Sequence, residues 1–305
     1  MKGDDYSVEI LRDILDYSVG NGLVSVRIAE MGIKHKTAVD VSVSGNSSLQ
    51  VLIIGGCPSK NFTFSTPENF QNLTTLELNS IKMIEIPRGL YELKNLTSLT
   101  LTDCSIRYIG SSVKNWLKLE SIEITNSYLT YIDDAFCSLP SLKSAIFSVS
   151  FLFFLPDCIG NITTLEKLNV VDAWLMEFPQ SFSALPSLRS WFVIQHFFHV
   201  CFYFSFTVCV FVSVLCDFDL SSLLMYNAID EVPESIGNVS TLVSLDIPDN
   251  YLQDFPDSVS SLVNLKSLFV ILPFVIPVVN FFLISVYVIQ DTRKEQFDKS
   301  STRSF

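Results

Sequence analysis

Carboxylate, amide and hydroxyl side chains that recur at a fixed interval are the groups in this sequence best suited to chemistry. They fall into two columns whose members are separated by 23 residues or a multiple of 23. Asp246 and Asp249 fit this spacing when a 31-residue apolar stretch before them is not counted. The first column contains Glu77, Thr100, Glu123, Asn169 and Asp246, and the second contains Asp103, Asp172 and Asp249. Such groups form hydrogen bonds and attract cations, but they are not spaced as a nucleophile with its base or as metal ligands. The columns therefore indicate a binding surface.

No catalytic or cofactor signature accompanies these columns. The sequence has no nucleophile elbow, phosphate-binding loop, zinc-protease pair or kinase motif. Gly55-Gly56 is too short for a dinucleotide fingerprint and predicts a turn. His196 and His199 lack a carboxylate or thiol that would complete a metal site. We therefore expect no enzymatic activity, no cofactor and no bound metal.

Net charge narrows the class of partner. The chain has a formal charge of −12 at pH 7. Nucleic-acid binding depends on lysine and arginine against phosphate, so a nucleic-acid partner is not expected. An acidic surface favours cationic partners, and we expect a protein with a basic or extended segment.

The elements that position the columns follow from a repeat. Leucines recur every 23 residues, at 73, 96, 119, 142, 165 and 188. Counting each as step 0, steps 3 and 5 are apolar and alternate with polar residues, which predicts a short strand with one buried face. Steps 10 and 13 are also apolar, and proline often follows, so the chain should return as a short helix or turn. Such a unit cannot bury its own apolar face and must stack on its neighbours.

This pattern resembles the leucine-rich repeat family, in particular the 23-residue repeats of the Ras-group and plant intracellular type. The match covers residues 49–193 and 225–270. The resemblance implies an α/β solenoid, a horseshoe with a parallel β-sheet on the concave side and short helices or turns on the convex side. It also implies that both polar columns lie on the concave side. The family's asparagine at step 8 survives only at Asn227 and Asn250, so we expect a weaker ladder of hydrogen bonds inside the stack.

The sequence divides into five segments. Residues 1–22 predict a capping helix, because residues 4–19 place Val8, Leu11 and Leu15 on one stripe. Repeats then occupy residues 23–193, with a degenerate first repeat, and continue over residues 225–270. An apolar insert, residues 194–224, separates the two blocks, and residues 271–305 hold a second apolar stretch and a charged tail.

Two interpretations of the apolar stretches remain open. Residues 191–216 and 268–289 are each long and apolar enough to span a membrane, which would place the protein there. Alternatively, both are translated introns: residues 194–218 lack Lys, Arg, Glu, Gly and Pro, and omitting 31 residues restores the repeat register. In that case we expect a cytoplasmic protein.

Cysteines and glycosylation sequons give no firm indication of compartment. The seven cysteines show no pairing pattern, and Cys57 and Cys104 fall at a step that points into the core. Six Asn-x-Ser/Thr sequons are present, but the chain starts without an apolar leader. We attribute the sequons to the repeat consensus and expect no requirement for an oxidising compartment.

Two functions are compatible with this sequence. The first is a non-enzymatic scaffold that binds a partner through the polar, acidic concave face. The second is a truncated membrane-anchored receptor or receptor-kinase ectodomain fragment with leucine-rich repeats, which acts in signalling.

Overall fold

The computed structural model describes residues 3–28, 38–57, 59–148, 150–171, 173, 175–194, 229, 231–247, 252, 256–275 and 282–288. The chain opens with helix α1, Gly3–Gly20, as predicted for residues 4–19. Leu11 and Leu15 are buried in the same core as the repeats. Asp16 accepts hydrogen bonds from the backbone N–H and the hydroxyl of Ser44, both at 2.9 Å. The helix is therefore fixed to the start of the stack by apolar and polar contacts.

One large sheet runs along the molecule and two small ones accompany it. The strands in chain order are β1 (Ser25–Ile28), β2 (Val39–Val41), β3 (Val51–Gly55), β4 (Phe62–Phe64), β5 (Thr75–Asn79), β6 (Ser98–Thr102), β7 (Tyr108–Ile109), β8 (Ser121–Thr125), β9 (Tyr131–Ile132), β10 (Ser144–Ser148), β11 (Lys167–Val171), β12 (Ser190–Ile194), β13 (Ser244–Ile247), β14 (Ser267–Val275) and β15 (Phe282–Val288). The large sheet has the order β1-β3-β5-β6-β8-β10-β11-β12-β13-β14-β15, while β2 pairs with β4 and β7 with β9.

The register of the large sheet reproduces the repeat. Leu76 pairs with Leu99, and Leu99 pairs with Ile122, each 23 residues on. All neighbours in this sheet are parallel except β14 and β15. Along β5, β6, β8, β10 and β11 the side chains at steps 3 and 5 are buried and the others are half-buried. The predicted α/β solenoid with a parallel sheet on one side is confirmed.

The chain returns through 3₁₀ helices. Their bounds are Pro67–Phe70, Arg88–Glu92, Ser111–Asn115, Asp134–Ser138, Ile159–Asn161, Gln180–Ala184, Glu234–Asn238 and Asp257–Ser261. Proline fixes φ near the helical value, and it stands directly before four of these helices and opens one. A single 3₁₀ turn is a tight way to reverse direction within a short repeat.

Large aromatic side chains fill the space between coils. Trp116 is fully buried, and its ring stacks on Tyr91 with centroids 4.8 Å apart. The indole N–H of Trp116 donates to the Leu90 carbonyl, one coil back, at 2.9 Å. The buried apolar residues form one continuous cluster along the described part of the stack. Each coil is thus stabilised mainly by its neighbours.

The ladder of inter-coil hydrogen bonds lies at a different step from the one the family resemblance implies. The step-8 positions hold buried Cys57, Ile81, Cys104, Ser127 and Ala173. One residue before the opening leucine, however, a column of amides and hydroxyls donates to carbonyls of the preceding coil. Its bonds are Asn72 to Ser47 (2.9 Å), Asn95 to Gln71 (2.7 Å), Ser141 to Leu117 (3.0 Å), Ser187 to Thr163 (2.7 Å) and Asn264 to Ser240 (2.8 Å). These bonds couple consecutive coils at the N-terminal edge of the sheet.

The large sheet continues without interruption from the strand before the apolar insert to the strand after it. Ser190 of β12 pairs with Ser244 of β13, and Trp191 pairs with Leu245. These partners are 54 positions apart, which exceeds one repeat by 31 residues. Residues 195–228, which hold most of the 191–216 stretch, lie outside the described residues.

The second apolar stretch, one of the two candidate membrane-spanning segments, contains two strands. Within 268–289, β14 and β15 pair antiparallel, with Val270 opposite Tyr287. Both runs are rich in β-branched and aromatic residues, which favour strands, and β14 pairs with the edge of β13 that is not bonded to β12. In the part of the chain that the structure describes, no helix has the length and apolar character to cross a bilayer.

A disulfide joins two coils, although the spacing of the seven cysteines shows no pairing pattern. Cys137 and Cys158 are bonded, with their Cα atoms 5.8 Å apart. Cys137 lies in the helix Asp134–Ser138, and Cys158 directly precedes the helix Ile159–Asn161 of the next coil. Because they are 21 residues apart, the pair matches neither a local motif nor the repeat period.

Candidate functional site: the concave sheet surface

The concave face of the sheet is formed by the even steps of the repeat. Glu77 is paired in register with Thr100, and Thr100 with Glu123. The row continues through Ile146 to Asn169, and then through Phe192 to Asp246. Adjacent strands are about 4.8 Å apart. The structure therefore brings the five predicted residues of the first column into one row, which we call the concave row: Glu77, Thr100, Glu123, Asn169 and Asp246.

Charges in the concave row are far enough apart to coexist. Glu77 and Glu123 are two strands apart, which is about 10 Å. That separation is close to the Debye length at 0.1 M salt, so salt weakens their mutual repulsion. Both side chains are half-buried and belong to no ion pair shown among the described residues. An incoming cation would meet two carboxylates on one face.

Hydroxyl groups line the N-terminal side of the concave row. The step-2 column comprises Thr75, Ser98, Ser121, Ser144, Ser190, Ser244 and Ser267, interrupted by Lys167. At step 6 the Thr125 hydroxyl donates to the Thr102 hydroxyl at 3.2 Å. These groups both donate and accept hydrogen bonds, so they suit a polar partner.

Two buried acceptors in the row differ in how they are satisfied. The Oδ1 atom of Asn169 is buried and has no hydrogen-bond partner among the described residues. Asp246 accepts a 3.4 Å hydrogen bond from the Ser244 hydroxyl. The Asn169 amide oxygen thus has unmet hydrogen-bonding capacity within the described residues.

The second column is only partly accessible to a partner. Asp103 is exposed, with a left-handed backbone (φ 53°) that it shares with Ser80 (57°) and Asn126 (54°). Short polar side chains tolerate this conformation. The Asn126 amide donates to the Asp103 carboxylate, so this carboxylate is already engaged by the next coil. Asp172 and Asp249 lie outside the described residues.

The described residues show neither a metal-binding cluster nor a reactive thiol. The described residues contain no group of three or more potential metal ligands. Burial raises the pKa of Cys104 to about 12 and also raises the pKa of Cys57. A thiol that remains protonated at neutral pH is a poor nucleophile. Both behave as small core residues, as predicted.

An exposed aromatic surface was missed by sequence reasoning. Tyr108, Tyr128, Tyr131, Phe151 and Phe154 are 39–56% exposed; we call this set the aromatic flank. They occupy steps 9 and 12 of three consecutive repeats, so the signal was present in the spacing. Tyr128 and Phe151 stack with ring centroids 6.0 Å apart. Tyr108 donates to Glu85, and this hydrogen bond raises the pKa of the phenol.

Comparison with known proteins identifies the fold. No family model and no curated protein match the sequence. Among solved structures, a leucine-rich repeat protein of Leptospira interrogans aligns with a TM-score of 0.62 and 18% identity, over 83% of this chain and 56% of that one. A second match is the leucine-rich repeat ectodomain of a plant membrane receptor kinase from Arabidopsis thaliana, in complex with CASPARIAN STRIP INTEGRITY FACTOR 2. It aligns with a TM-score of 0.54 and 21% identity, over 80% of this chain and 26% of that one.

An internalin of Listeria monocytogenes aligns with a TM-score of 0.51 and 21% identity, over 72% of this chain and 53% of the internalin. The chain spans about half the length of the Leptospira and Listeria proteins. At these identities the likeness establishes a shared fold, the stacked repeat solenoid, and does not distinguish one subtype of repeat from another.

Proposed function

We propose that this chain, which has the leucine-rich repeat fold, is a non-enzymatic scaffold that binds a protein partner through its concave row. The observation that carries the proposal is the alignment of Glu77, Thr100 and Glu123 across adjacent strands. Solenoids present such surfaces for extended partners. The Arabidopsis ectodomain of the same fold is seen with a bound factor.

The expected partner segment is basic and extended. An extended chain advances about 3.3 Å per residue, so cations about three residues apart match the roughly 10 Å between Glu77 and Glu123. Backbone groups of such a segment could bond to the hydroxyl column beside the row. A donor near Asn169 would satisfy the buried amide oxygen that lacks a partner among the described residues.

Charge reversal tests this proposal. We expect the triple variant Glu77→Lys, Glu123→Lys and Asp246→Lys to lose measurable binding of a lysine-rich decapeptide in fluorescence anisotropy at 0.1 M salt. Complementary charges become repulsive, and like charges at an interface cost several kcal/mol.

A control with the same change of net charge is available. Glu68, Glu92 and Glu166 are exposed and lie outside the concave row. Reversing these three to lysine should weaken binding by less than about threefold, through the long-range field alone. Unchanged affinity in the concave variant, or an equal loss in the control, would refute the proposed surface.

A receptor ectodomain is the second candidate, and the disulfide favours it. Disulfides persist in oxidising environments and are rare in the cytosol, and Cys137 is bonded to Cys158. A mobility shift after glycosidase treatment would support the receptor, since the chain carries six sequons. Recovery of unglycosylated protein from the cytosolic fraction would support the intracellular scaffold.

A further inference from the structure

The aromatic flank forms a stripe along one side of the solenoid, away from the concave row. At step 12, Glu85 bridges to Tyr108, and Tyr108 pairs with Tyr131 in the small sheet β7-β9. Phe154 and Glu177 occupy the same step in the next two repeats. Both the phenylalanine and the glutamate are exposed. Three aromatic residues are thus bracketed by two glutamates.

Neither folding nor the core explains this stripe. Step 10, which lies between steps 9 and 12, holds Leu129 and Leu152, which are fully buried, while the aromatic residues on either side face solvent. Five aromatic side chains are exposed on three adjacent coils, with Tyr128 stacked on Phe151 and Tyr108 beside Tyr131 in β7–β9. Single exposed apolar residues are ordinary, but contiguous patches mark interaction sites, and aromatic residues are enriched at the centre of interfaces.

A small cavity adjoins the stripe at its acidic end. It is lined by Phe154, Leu155, Asp157, Glu177 and Pro179, with a volume of about 120 Å³. This is enough for the end of a side chain and too little for a drug-sized ligand, whose pockets measure about 300–1,000 Å³. Its wall combines an aromatic ring with two carboxylates. Lys82 and Arg107 belong to the coils of Glu85 and Tyr108, at the other end of the stripe.

This combination specifies a cationic, planar group. Carboxylates attract either lysine or arginine, but a guanidinium also lies flat on an aromatic ring and donates to two acceptors at once. We propose that the aromatic flank binds an arginine-bearing segment of a protein partner, with one guanidinium in the cavity formed by Phe154, Asp157 and Glu177. Further arginines stack on Tyr131 and Tyr108. This site goes beyond the concave row and does not depend on it.

Calorimetry on the full chain tests the site. The probe is a nine-residue, blocked peptide with three arginines in a glycine–serine background. Its analogues carry citrulline, which is neutral and planar, or lysine. We expect the arginine peptide to bind more tightly than the lysine peptide and the citrulline peptide not to bind.

Two sets of variants localise the binding. The double variant Tyr131→Ala, Phe154→Ala should weaken the arginine peptide about tenfold, through the loss of two cation–π contacts. Glu177→Gln removes one charge from an exposed side chain without changing its size, so the fold should be unaffected. It should weaken binding of the arginine peptide about threefold to tenfold. The control variants are Leu117→Ala and Val263→Ala, whose side chains lie outside the aromatic flank and are 61% and 82% exposed. Both should leave the affinity for the arginine peptide unchanged.

Several results would overturn the proposal. One is equal affinity for the arginine and lysine peptides, which would mean attraction by charge alone. Another is full affinity in both flank variants. A third is binding that survives the flank variants but is lost in Glu77→Gln, Glu123→Gln, which would place the peptide on the concave row.

Discussion

At the scale of single residues, close packing between coils constrains the sequence more tightly than backbone conformation does. Gly160 lies at the junction of two 3₁₀ helices, where its N–H donates to the Ser181 hydroxyl at 2.8 Å. A Cβ atom on Gly160 would lie 2.0 Å from the Ser181 carbonyl oxygen. Glycine is needed here because the neighbouring coil comes too near for any side chain.

This contact predicts the cost of adding one methyl group. Gly160→Ala should lower the free energy of unfolding by about 1–3 kcal/mol, because the Ser181 backbone must move. Gly110→Ala is the matched control, since its Cβ would have no neighbour closer than 3.7 Å; its effect should stay within about 0.5 kcal/mol. Urea unfolding measures both. Equal effects of the two substitutions would show that the coils are not in this close contact.

At the scale of elements, consecutive 3₁₀ helices hold the convex side together in two different ways. Most are joined by apolar side chains such as Phe136 and Ile159, which are fully buried. One pair is also joined covalently by the Cys137–Cys158 disulfide. This crosslink keeps the two segments close together in the unfolded chain and so lowers the conformational entropy of that chain.

The disulfide gives a stability prediction with an internal control. Cys137→Ala, Cys158→Ala should lower the free energy of unfolding by about 3 kcal/mol, as expected for a closed loop of this length. A reducing agent should lower the melting temperature of the unmodified chain to that of the double variant and leave the double variant unchanged. A melting temperature that does not respond to reductant would contradict the crosslink.

At the scale of the whole molecule, the solenoid is built by adding equivalent coils, so it can skip a stretch of sequence without changing its plan. The pairing of β12 with β13 shows this, because Trp191 and Leu245 pair in register like the equivalent residues of any two successive repeats. Stability in such a stack depends on nearest-neighbour interfaces. The β12–β13 pairing shown, from Ser190 to Phe192, therefore uses no residue of the apolar insert.

Deletion of residues 194–224 tests this view. The shortened chain should keep its strand register and unfold with a midpoint at least as high as the parent, since an apolar stretch is removed and no β12–β13 pair is lost. Deletion of residues 194–223 is the control, because the one extra residue places later core positions out of step. Thermal unfolding and circular dichroism compare the two. Transcript sequences that span both apolar stretches in frame would reject the intron interpretation.

The sequence alone determined the repeat, the strand in each repeat and the core, because the alternation of apolar residues and the 23-residue interval are both periodic along the chain. Alternation at steps 3 and 5 defines a strand with one buried face, and the constant interval aligns Leu76 with Leu99 and Ile122. The concave row followed from the same count. Its members could be predicted because each residue's outward direction depends only on its own strand.

Tertiary structure decided the features that depend on contacts between unequal steps of neighbouring coils. The Cys137–Cys158 bond joins residues 21 apart, the Asn126 amide engages Asp103, and β14 with β15 forms a hairpin from an apolar run. The cavity beside Phe154 likewise exists only between coils. Periodicity specifies that coils stack, whereas the lateral offset between them, set by side-chain packing and backbone hydrogen bonds, decides which groups meet.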